Sequence, residues 1–452
     1  MQRLRTWLMA PHSTAPLATF RVVFGAVMLY SVIRFAVRGW ITAQYVDPQF
    51  YFPYLGLEFI KPLGFWGMHG LFLLMGLAAL GIMLGYRYRL SALLFFLCFT
   101  YVELIDKTNY LNHYYFVSLV SFWLLWVPAH ATFSLDARRN PSLAKATAPR
   151  YTVLLLQLQL ALVYFYAGVA KLNTDWLLEA MPLRLWLPSR TDLPIIGQVL
   201  GYTWVAYAFS WFGAIYDLTI AAFLWYRPTR KWAYAAVVAF HVLTRILFPI
   251  GVFPWVMIGA TLIFFSPNWH LRWQKAWQQR FGRVSPPSAH WQPTRSRMAL
   301  GMLSLLLCIQ VLLPWRYLLY PGNLFWTEEG YRFSWRVMLM EKAGYLTYDI
   351  VDPATGRSME VDPQDYLTPV QVKMLATQPD MILQFAHFLA AAYEQQGIAH
   401  PEVYAHSYVS LQGRRSRPFI DPKINLAAQP QSWKPKTWIM PSPTPSSTVA
   451  NR

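Results

Sequence analysis

Apolar positions dominate the first 319 residues in long, nearly uncharged runs, and polar residues gather between the runs. Several runs reach about 20 residues, the length that a helix needs to cross the hydrocarbon core of a bilayer. Apolar and polar positions alternate in short stretches only after Tyr320. The pattern predicts a helical membrane domain over residues 1–319 and a separate C-terminal domain over residues 320–440.

Nine runs have the apolar length and the flanking aromatic and basic residues of transmembrane helices. They cover residues 17–37, 63–84, 90–104, 114–131, 151–170, 199–226, 232–248, 252–265 and 298–319. The predicted fold class is therefore a membrane all-α bundle of about nine transmembrane helices, followed by an extracytoplasmic α+β domain that is β-sandwich-like.

Basic residues are divided unequally between the loops on the two sides of these spans. Alternate loops, beginning with the N-terminal tail, hold seventeen Lys and Arg residues, and the other loops hold six. Because Lys and Arg are retained on the cytoplasmic side, we expect a cytoplasmic N-terminus and an extracytoplasmic segment after Leu319. The net charge of +18 then reflects topology and contact with anionic lipid, so we predict membrane lipid as a partner and no nucleic acid.

Composition supports a membrane protein. The chain is 56% apolar and 13% charged, whereas a soluble domain carries roughly 25% charged residues. Cys98 and Cys308 lie inside apolar runs without metal-ligand spacing, so we predict packing roles for both and no metal site. The N-terminal sequence lacks an A-x-A cleavage pattern, and we predict no removable signal peptide.

The C-terminal domain combines strand and helix patterns. Residues 345–352 and 358–362 alternate like two strands joined by a turn, and residues 403–411 read as a third strand. Residues 368–396 have helical periodicity divided near Pro379. The last residues, 441–452, are rich in Pro, Ser and Thr, a composition that predicts a disordered tail.

One lysine lies at the end of the fifth predicted span, within residues 164–176, YFYAGVAKLNTDW. Lys171 stands where a membrane helix leaves the hydrocarbon, and it has two interpretations. In the first, the aliphatic stem stays in lipid while the ammonium reaches the interface. In the second, the amine is a base, because desolvation readily lowers the pKa of lysine.

Polar residues gather on the predicted outer side, in segments 103–113, 171–176, 248–254 and 320–335. The third segment lies close in sequence to His241 of the seventh span. A polar or ionisable residue at membrane depth is a functional candidate by default. The shared side therefore predicts a membrane protein with an outward polar site.

Several of these candidates also have structural interpretations. Asn112 and His113 are suited to starting the fourth span, since Asn is a good helix cap. Asp106 and Lys107 are suited to forming a surface pair of little energetic value. His241 is equally well explained as a buried, hydrogen-bonded histidine.

The same applies to the remaining candidates. Asp217 in the sixth span needs a partner when buried, for which Arg245 is a candidate, and such a pair would be structural. Trp326, Tyr331 and Trp335 are typical of an interfacial aromatic belt. Periodicity leaves these alternatives open.

Sequence motifs carry the argument further. The segments DKT at 106–108 and NHY at 112–114 resemble the LDK…NNH segment of vitamin K-dependent γ-glutamyl carboxylases, and GVAKLNTDW at 168–176 resembles that family's GVKKLDADW. Three more segments resemble the family in order: 248–257 (LFSIGMFSYVM in the family), 326–338 (WT…YSWDMM) and 345–356. Five segments in register over residues 17–440 make the resemblance specific.

The resemblance implies an activity. Vitamin K hydroquinone, or menaquinol, would bind in the membrane domain and lose a proton to Lys171, with His113 assisting. With O2 and CO2 as co-substrates, a glutamyl-containing protein or peptide would become γ-carboxylated while the quinol becomes its epoxide. Further assignments are cofactor binding by Asn112, Asp106 and His241, and substrate binding by Trp326, Tyr331 and Trp335.

Chemistry agrees with this expectation. A glutamyl γ-proton is too weakly acidic for any side-chain base, so a cofactor must carry the difficult step. An apolar quinol needs an apolar pocket, and the reactive base must be kept from water.

The sequence also departs from the family. Ala170 replaces the first lysine of the family's pair, the family's disulfide has no counterpart, and the polar residues between Trp326 and Trp335 differ. The short loops predict a member from a bacterial inner membrane. Two rival hypotheses remain: a quinol epoxidase that does not carboxylate protein, and a non-catalytic quinone-binding membrane protein.

Overall fold

The computed structural model describes residues 2–281, 289–290 and 296–442. Most of the predicted tail, residues 443–452, lies outside the described residues. The N-terminal part is built from α1 (Ala15–Val37), α2 (Gly64–Leu84), α3 (Tyr88–Ile105), α4 (Asn112–Trp126), α5 (Tyr151–Ala170), α6 (Thr203–Trp225), α7 (Arg230–Leu247), α8 (Phe253–Thr261), α9 (Pro267–Phe281) and α10 (Ser296–Leu312). Shorter helical segments are Gln2–Met9, Trp40–Tyr45, Lys107–Asn109, Leu135–Arg139, Pro141–Leu143, Thr174–Leu177, Leu183–Trp186, Pro188–Arg190, Gly197–Leu200, Leu262–Phe264 and Leu313–Leu319.

A helix begins within a few residues of the start of each predicted span, but not every one of these helices is long and apolar enough to cross a membrane. Within the described part of the chain, six are long and apolar enough: Ala15–Val37, Gly64–Leu84, Tyr88–Ile105, Tyr151–Ala170, Thr203–Trp225 and Gly301–Leu319. The other predicted spans correspond to α4, which has 15 residues, to α7, which carries Arg230, Lys231 and Arg245, and to the short α8. The chain is therefore an integral membrane protein, and the count of nine spans is not confirmed.

A small sheet joins three segments that the charge pattern assigns to one side of the membrane. Strand β1 (Pro11–Ser13) pairs antiparallel with β2 (Lys145–Pro149), and β2 pairs in parallel with β3 (Ala289–His290). These strands belong to the N-terminal tail, the fourth-to-fifth loop and the eighth-to-ninth loop of the prediction. Their pairing brings three of the basic loops together, as expected if those loops share a side.

The C-terminal domain is an antiparallel sheet with a helix packed against it. Strands β4 (Lys342–Val351), β5 (Ser358–Val361), β6 (Glu402–Leu411) and β7 (Arg417–Pro418) follow the order β5-β4-β6-β7. The predicted strands and the division of the helical region at Pro379 are confirmed, since α11 (Pro369–Leu375) and α12 (Pro379–Gln395) follow β5. Short turns complete the domain: Leu324–Thr327, Pro363–Asp365 and Leu426–Ala428.

The β-sandwich-like expectation for this domain is wrong. Alternate residues of β6 from Val403 to Leu411 are buried, the pattern of a sheet with one covered face. The cover is α12, which packs on β6 and β4, and Tyr348 Oη donates to the Ile382 carbonyl at 2.9 Å. Within described residues 296–442, a helix therefore takes the place that a second sheet would occupy.

Charged residues connect this domain to the outer loop between α3 and α4. Asp380 at the start of α12 accepts from Lys107 Nζ at 2.6 Å and from Arg332 Nη1 at 2.8 Å. Arg332 also donates to the Gln378 side chain. Burial alone would raise the pKa of Asp380, but the cations of Arg332 and Lys107 hold it well below its usual value. Burial lowers the pKa of Lys107 to about 8, against the opposing effect of Asp380.

Polar contacts along the same loop strengthen this attachment. Gln371 of α11 donates to Asp106 Oδ2 at 3.2 Å, and Asn112 Nδ2 donates to the Arg336 carbonyl at 2.9 Å. The expected surface pair of Asp106 with Lys107 is wrong, because both residues are buried and each contacts the C-terminal domain. The outer ends of α3 and α4 are therefore fixed by the C-terminal domain.

Asp380→Asn should loosen this attachment, because it leaves Lys107 and Arg332 without their carboxylate. We expect the free energy of unfolding to fall by about 2 kcal/mol, between the values for surface and buried pairs, since Asp380 remains partly exposed. Thermal denaturation of the purified protein in detergent measures the change. Asp365→Asn removes an exposed carboxylate of the same domain and should stay within about 0.5 kcal/mol of the unchanged protein; equal losses in the two variants would contradict the docking role.

Candidate active site

A cavity of about 490 Å³ lies among α1, α5, α6, α7 and the first turn of α4. Ligand sites occupy roughly 300–1,000 Å³ and are mainly apolar with a few polar groups, and this cavity has that character. Its charged and histidine members are Arg34, Lys171, Asp217, His113 and His241. The cavity therefore gathers ionisable groups from helices far apart in sequence.

The Lys171 amine forms an ion pair on the cavity wall. Lys171 Nζ lies 2.7 Å from Asp217 Oδ2 and donates to the Ala167 carbonyl at 3.1 Å. The ammonium also lies 5.3 Å from the centre of the Trp176 ring. Lys171 and Asp217 are 6% and 5% exposed, so the amine does not reach open water as the snorkelling interpretation requires.

Close packing of α5 on α6 makes this pair possible. A Cβ added at Gly168 would lie 2.8 Å from the Leu218 backbone nitrogen, so only glycine allows the two helices to approach here. Beyond the end of α5, Trp176 Nε1 donates to the Ser210 carbonyl at 2.8 Å, and Ser210 Oγ donates back to the Trp176 carbonyl. The segment after Lys171 is thus tied to α6, the helix that carries Asp217.

Two histidines that line the cavity lie near the ring of Phe253. The Phe253 ring centre lies 5.5 Å from that of His113 and 5.9 Å from that of His241. His241 Nδ1 lies 2.8 Å from the Val237 carbonyl, and a carbonyl only accepts, so the neutral ring carries its proton on Nδ1 and leaves Nε2 as an acceptor. Among the described residues, no group of three or more His, Cys, Asp or Glu side chains is arranged to hold a metal ion.

Asn112 reaches the cavity but is engaged by protein. Its Oδ1 accepts a hydrogen bond from Tyr110 Oη at 3.0 Å, and its Nδ2 donates one to the Arg336 carbonyl of the C-terminal domain. Asp106 is absent from the cavity lining. Its Oδ1 accepts from the Thr108 backbone at 2.8 Å, so the structure gives Asp106 a loop-capping and docking role where the sequence suggested cofactor binding.

The three aromatic residues assigned to the substrate do not line the cavity either. Trp326 packs in the C-terminal domain, where its Nε1 donates to the Met440 carbonyl at 2.8 Å. Tyr331 Oη donates to the Arg336 carbonyl at 3.3 Å, and Trp335 stacks on Tyr115 at 4.9 Å. The aromatic segment reaches the cavity through the residues that follow it, Val337 and Met338.

Sequence reasoning missed two features of the site. It offered Arg245 as a candidate partner for Asp217, but Arg245 is exposed and the partner is Lys171. It also passed over Arg34, a cation in the last turn of α1 that lines the cavity. The available signal was the presence of an ionisable residue inside a predicted span, which by itself marks a functional candidate.

Comparison with protein-family models identifies two matches that together cover most of the chain. Residues 9–269 match the HTTM domain, and residues 295–445 match the lumenal domain of vitamin K-dependent gamma-carboxylase. The second match makes the C-terminal region extracytoplasmic. No solved structure matches the chain.

The effects on stability of removing Lys171 and of removing Asp217 should not add, because each residue compensates the charge of the other. Lys171→Met or Asp217→Asn leaves an uncompensated buried group, a loss of about 3–5 kcal/mol for buried ion pairs. The double variant should lose less than the sum of the single losses, as thermal denaturation in a double-mutant cycle would measure. Arg245→Met, at the partner suggested by the sequence, should change stability by less than about 0.5 kcal/mol. Additive losses at Lys171 and Asp217 would contradict the pairing.

Proposed function

We propose that this chain, which belongs to the vitamin K-dependent γ-carboxylase family, carboxylates the γ-carbon of glutamyl side chains in a protein or peptide while vitamin K hydroquinone is epoxidised by O2. The observation that carries the proposal is the buried Lys171 amine on the wall of an apolar cavity of about 490 Å³. An apolar quinol needs such a cavity, and its activation needs a base shielded from water.

The residues of the cavity fit a vitamin K hydroquinone or a menaquinol. Apolar and aromatic side chains supply the walls for a ring and an isoprenoid tail, and the free Nε2 of His241 supplies an acceptor for a quinol hydroxyl. When bound, the hydroquinone supplies, together with O2, the strong base that removal of a glutamyl γ-proton requires before CO2 is captured. The protein binds, orients and excludes water.

Lys171 and Asp217 handle the first proton as a unit. An ammonium cannot accept a proton, so Lys171 first passes one to Asp217 along their 2.7 Å hydrogen bond. Burial in an apolar wall disfavours separated charges and so brings the neutral amine and neutral acid within reach. The neutral amine of Lys171 would then accept a proton from a hydroxyl of the bound quinol. Asp217 is in this account a positioning residue that acts through Lys171.

His113 also lines the cavity and is proposed to bind the second hydroxyl of the quinol. Its ring contacts are aromatic, with Tyr114 at 4.8 Å and Phe253 at 5.5 Å. Asn112 contributes by fixing the first turn of α4 to the C-terminal domain. Movement of that turn would displace His113, which makes the attachment important for catalysis.

The surroundings of the enzyme follow from the charge pattern. We propose an N-terminus in the cytoplasm, a bacterial inner membrane and menaquinol as an alternative to vitamin K hydroquinone. The acceptor is a glutamyl-containing protein or peptide that approaches from the extracytoplasmic side, where the C-terminal domain lies.

The direct test supplies purified protein with reduced vitamin K, O2, labelled bicarbonate and a Glu-containing peptide. We expect vitamin K epoxide and labelled peptide together. Lys171→Arg should reduce epoxide formation by at least about 100-fold, because a guanidinium keeps the charge beside Asp217 but does not give up its proton. Lys61→Arg, an exposed lysine outside the cavity, should behave like the unchanged protein.

The same assay separates the rival hypotheses. Epoxide without labelled peptide would assign the chain to quinol epoxidation alone. Quinone binding without either product would indicate a non-catalytic binding protein. Normal turnover by Lys171→Arg would remove Lys171 from the role of base.

A further inference from the structure

The charges that line the cavity do not balance. Among the described residues, its formally charged members are Arg34, Lys171 and Asp217. Lys171 and Asp217 neutralise each other through their ion pair. In the described part of the chain, Arg34 has neither a carboxylate within ion-pair distance nor a side-chain hydrogen bond. The cavity therefore carries one uncompensated positive charge.

The surroundings of Arg34 leave its guanidinium edge available. Its central carbon lies 4.7 Å from the Trp40 ring centre, in a cation–π contact, and the side chain is half-buried at the end of α1. A guanidinium that stacks through its face keeps its N–H groups for a ligand in the plane. Those groups match the two oxygens of a carboxylate.

We propose that Arg34 binds the side-chain carboxylate of the glutamyl substrate, an assignment that rests on the proposed function. A glutamyl side chain enters the cavity already ionised and supplies the missing negative charge. Burial of a cation in an apolar cavity is costly unless an anion accompanies it, so the cavity favours an anionic ligand over a neutral isostere.

The same contact assists the chemistry. Removing the γ-proton places a second negative charge on the carbon beside the carboxylate. A guanidinium held at that carboxylate offsets the developing charge, as fixed cations do at other anionic transition states. Arg34 would thus select the substrate and stabilise the charge that its deprotonation creates.

A quinol is a weaker candidate for this position. It enters neutral and becomes anionic only on losing a proton, and the Lys171–Asp217 pair already keeps a compensating charge at the place of that transfer. The glutamyl carboxylate is the ligand that needs a permanent cation.

Peptide binding without quinol or O2 tests the assignment independently of turnover. A short Glu peptide and its Gln isostere are titrated against the full-length protein in detergent. We expect the unchanged protein to prefer the Glu peptide, and Arg34→Gln to weaken Glu binding by about tenfold or more with little change for Gln, since hydrogen bonds between charged groups are strong. Arg34→Lys, which keeps the charge without the planar fork, should fall between them.

Arg38→Gln is the matched control. Arg38 lies one turn further along, 5.3 Å from the same Trp40 ring, but is exposed and does not line the cavity. This variant should keep the Glu preference, and thermal denaturation of all variants checks their folding. Unchanged Glu binding in Arg34→Gln, an equal loss in Arg38→Gln, or no Glu preference in the unchanged protein would each overturn the assignment.

Titration of reduced vitamin K distinguishes a quinol contact. Equal weakening of quinol and Glu peptide in Arg34→Gln would overturn a role specific to the carboxylate. Failure of the proposed function has a different signature: Glu selectivity that depends on Arg34, but no epoxide and no labelled peptide from the unchanged protein.

Discussion

A charged amine buried in a membrane domain must have a compensating group, and the Lys171–Asp217 pair meets that requirement at 2.7 Å. Several other features follow from it. Helices α5 and α6 have to come close, which Gly168 permits. The segment after α5 has to stay against α6, which the reciprocal hydrogen bonds of Trp176 and Ser210 ensure. In the proposed mechanism the pair also supplies the base, because transfer of one proton from Lys171 to Asp217 leaves both groups neutral and exposes no net charge.

The second constraint acts at the boundary between the two domains. Asp380 holds Lys107 and Arg332 together, and Asn112 connects the start of α4 to the C-terminal domain. The cavity wall is completed by Val337 of that domain. A cavity built from both domains suits the proposed activity, which would bring an apolar reductant from the bilayer to a polar acceptor from outside, since each domain would face one of the two ligands.

Charge within the cavity provides a basis for selectivity. The ion pair is neutral as a whole, and the hydrogen bond of His241 to the Val237 carbonyl places the ring proton on Nδ1, so that Nε2 is the acceptor. The remaining positive charge of Arg34 is the basis for the proposed preference for an anion. An apolar cavity with a single unpaired cation would suit the proposed combination of an apolar cofactor and an ionised side chain. A purely apolar cavity would not bind the ionised side chain, and a highly charged cavity would not bind the cofactor.

Sequence alone determined the elements and the family. Apolar length located α5 to the residue, alternation located β4 and β6, and ordered motifs identified the carboxylase family and picked out Lys171. These are local properties, because a hydrophobic period and the spacing of a motif depend only on residues that are close together in the sequence. The number of spans was less well determined, since apolar length says little about a short helix such as α4 or α8 that neighbouring helices bury.

Tertiary structure decided which residues meet. Asp217 lies 46 positions from Lys171 in the sequence. The hydrophobic periodicity of the two helices does not predict that they pack with these two residues side by side. Packing likewise places Trp326 in the core of the C-terminal domain and brings Arg34 of the first helix to the cavity. It also brings Asp106 into contact with the C-terminal domain. Contacts of this kind depend on how helices and domains stack in three dimensions, so they become visible only once the chain is folded.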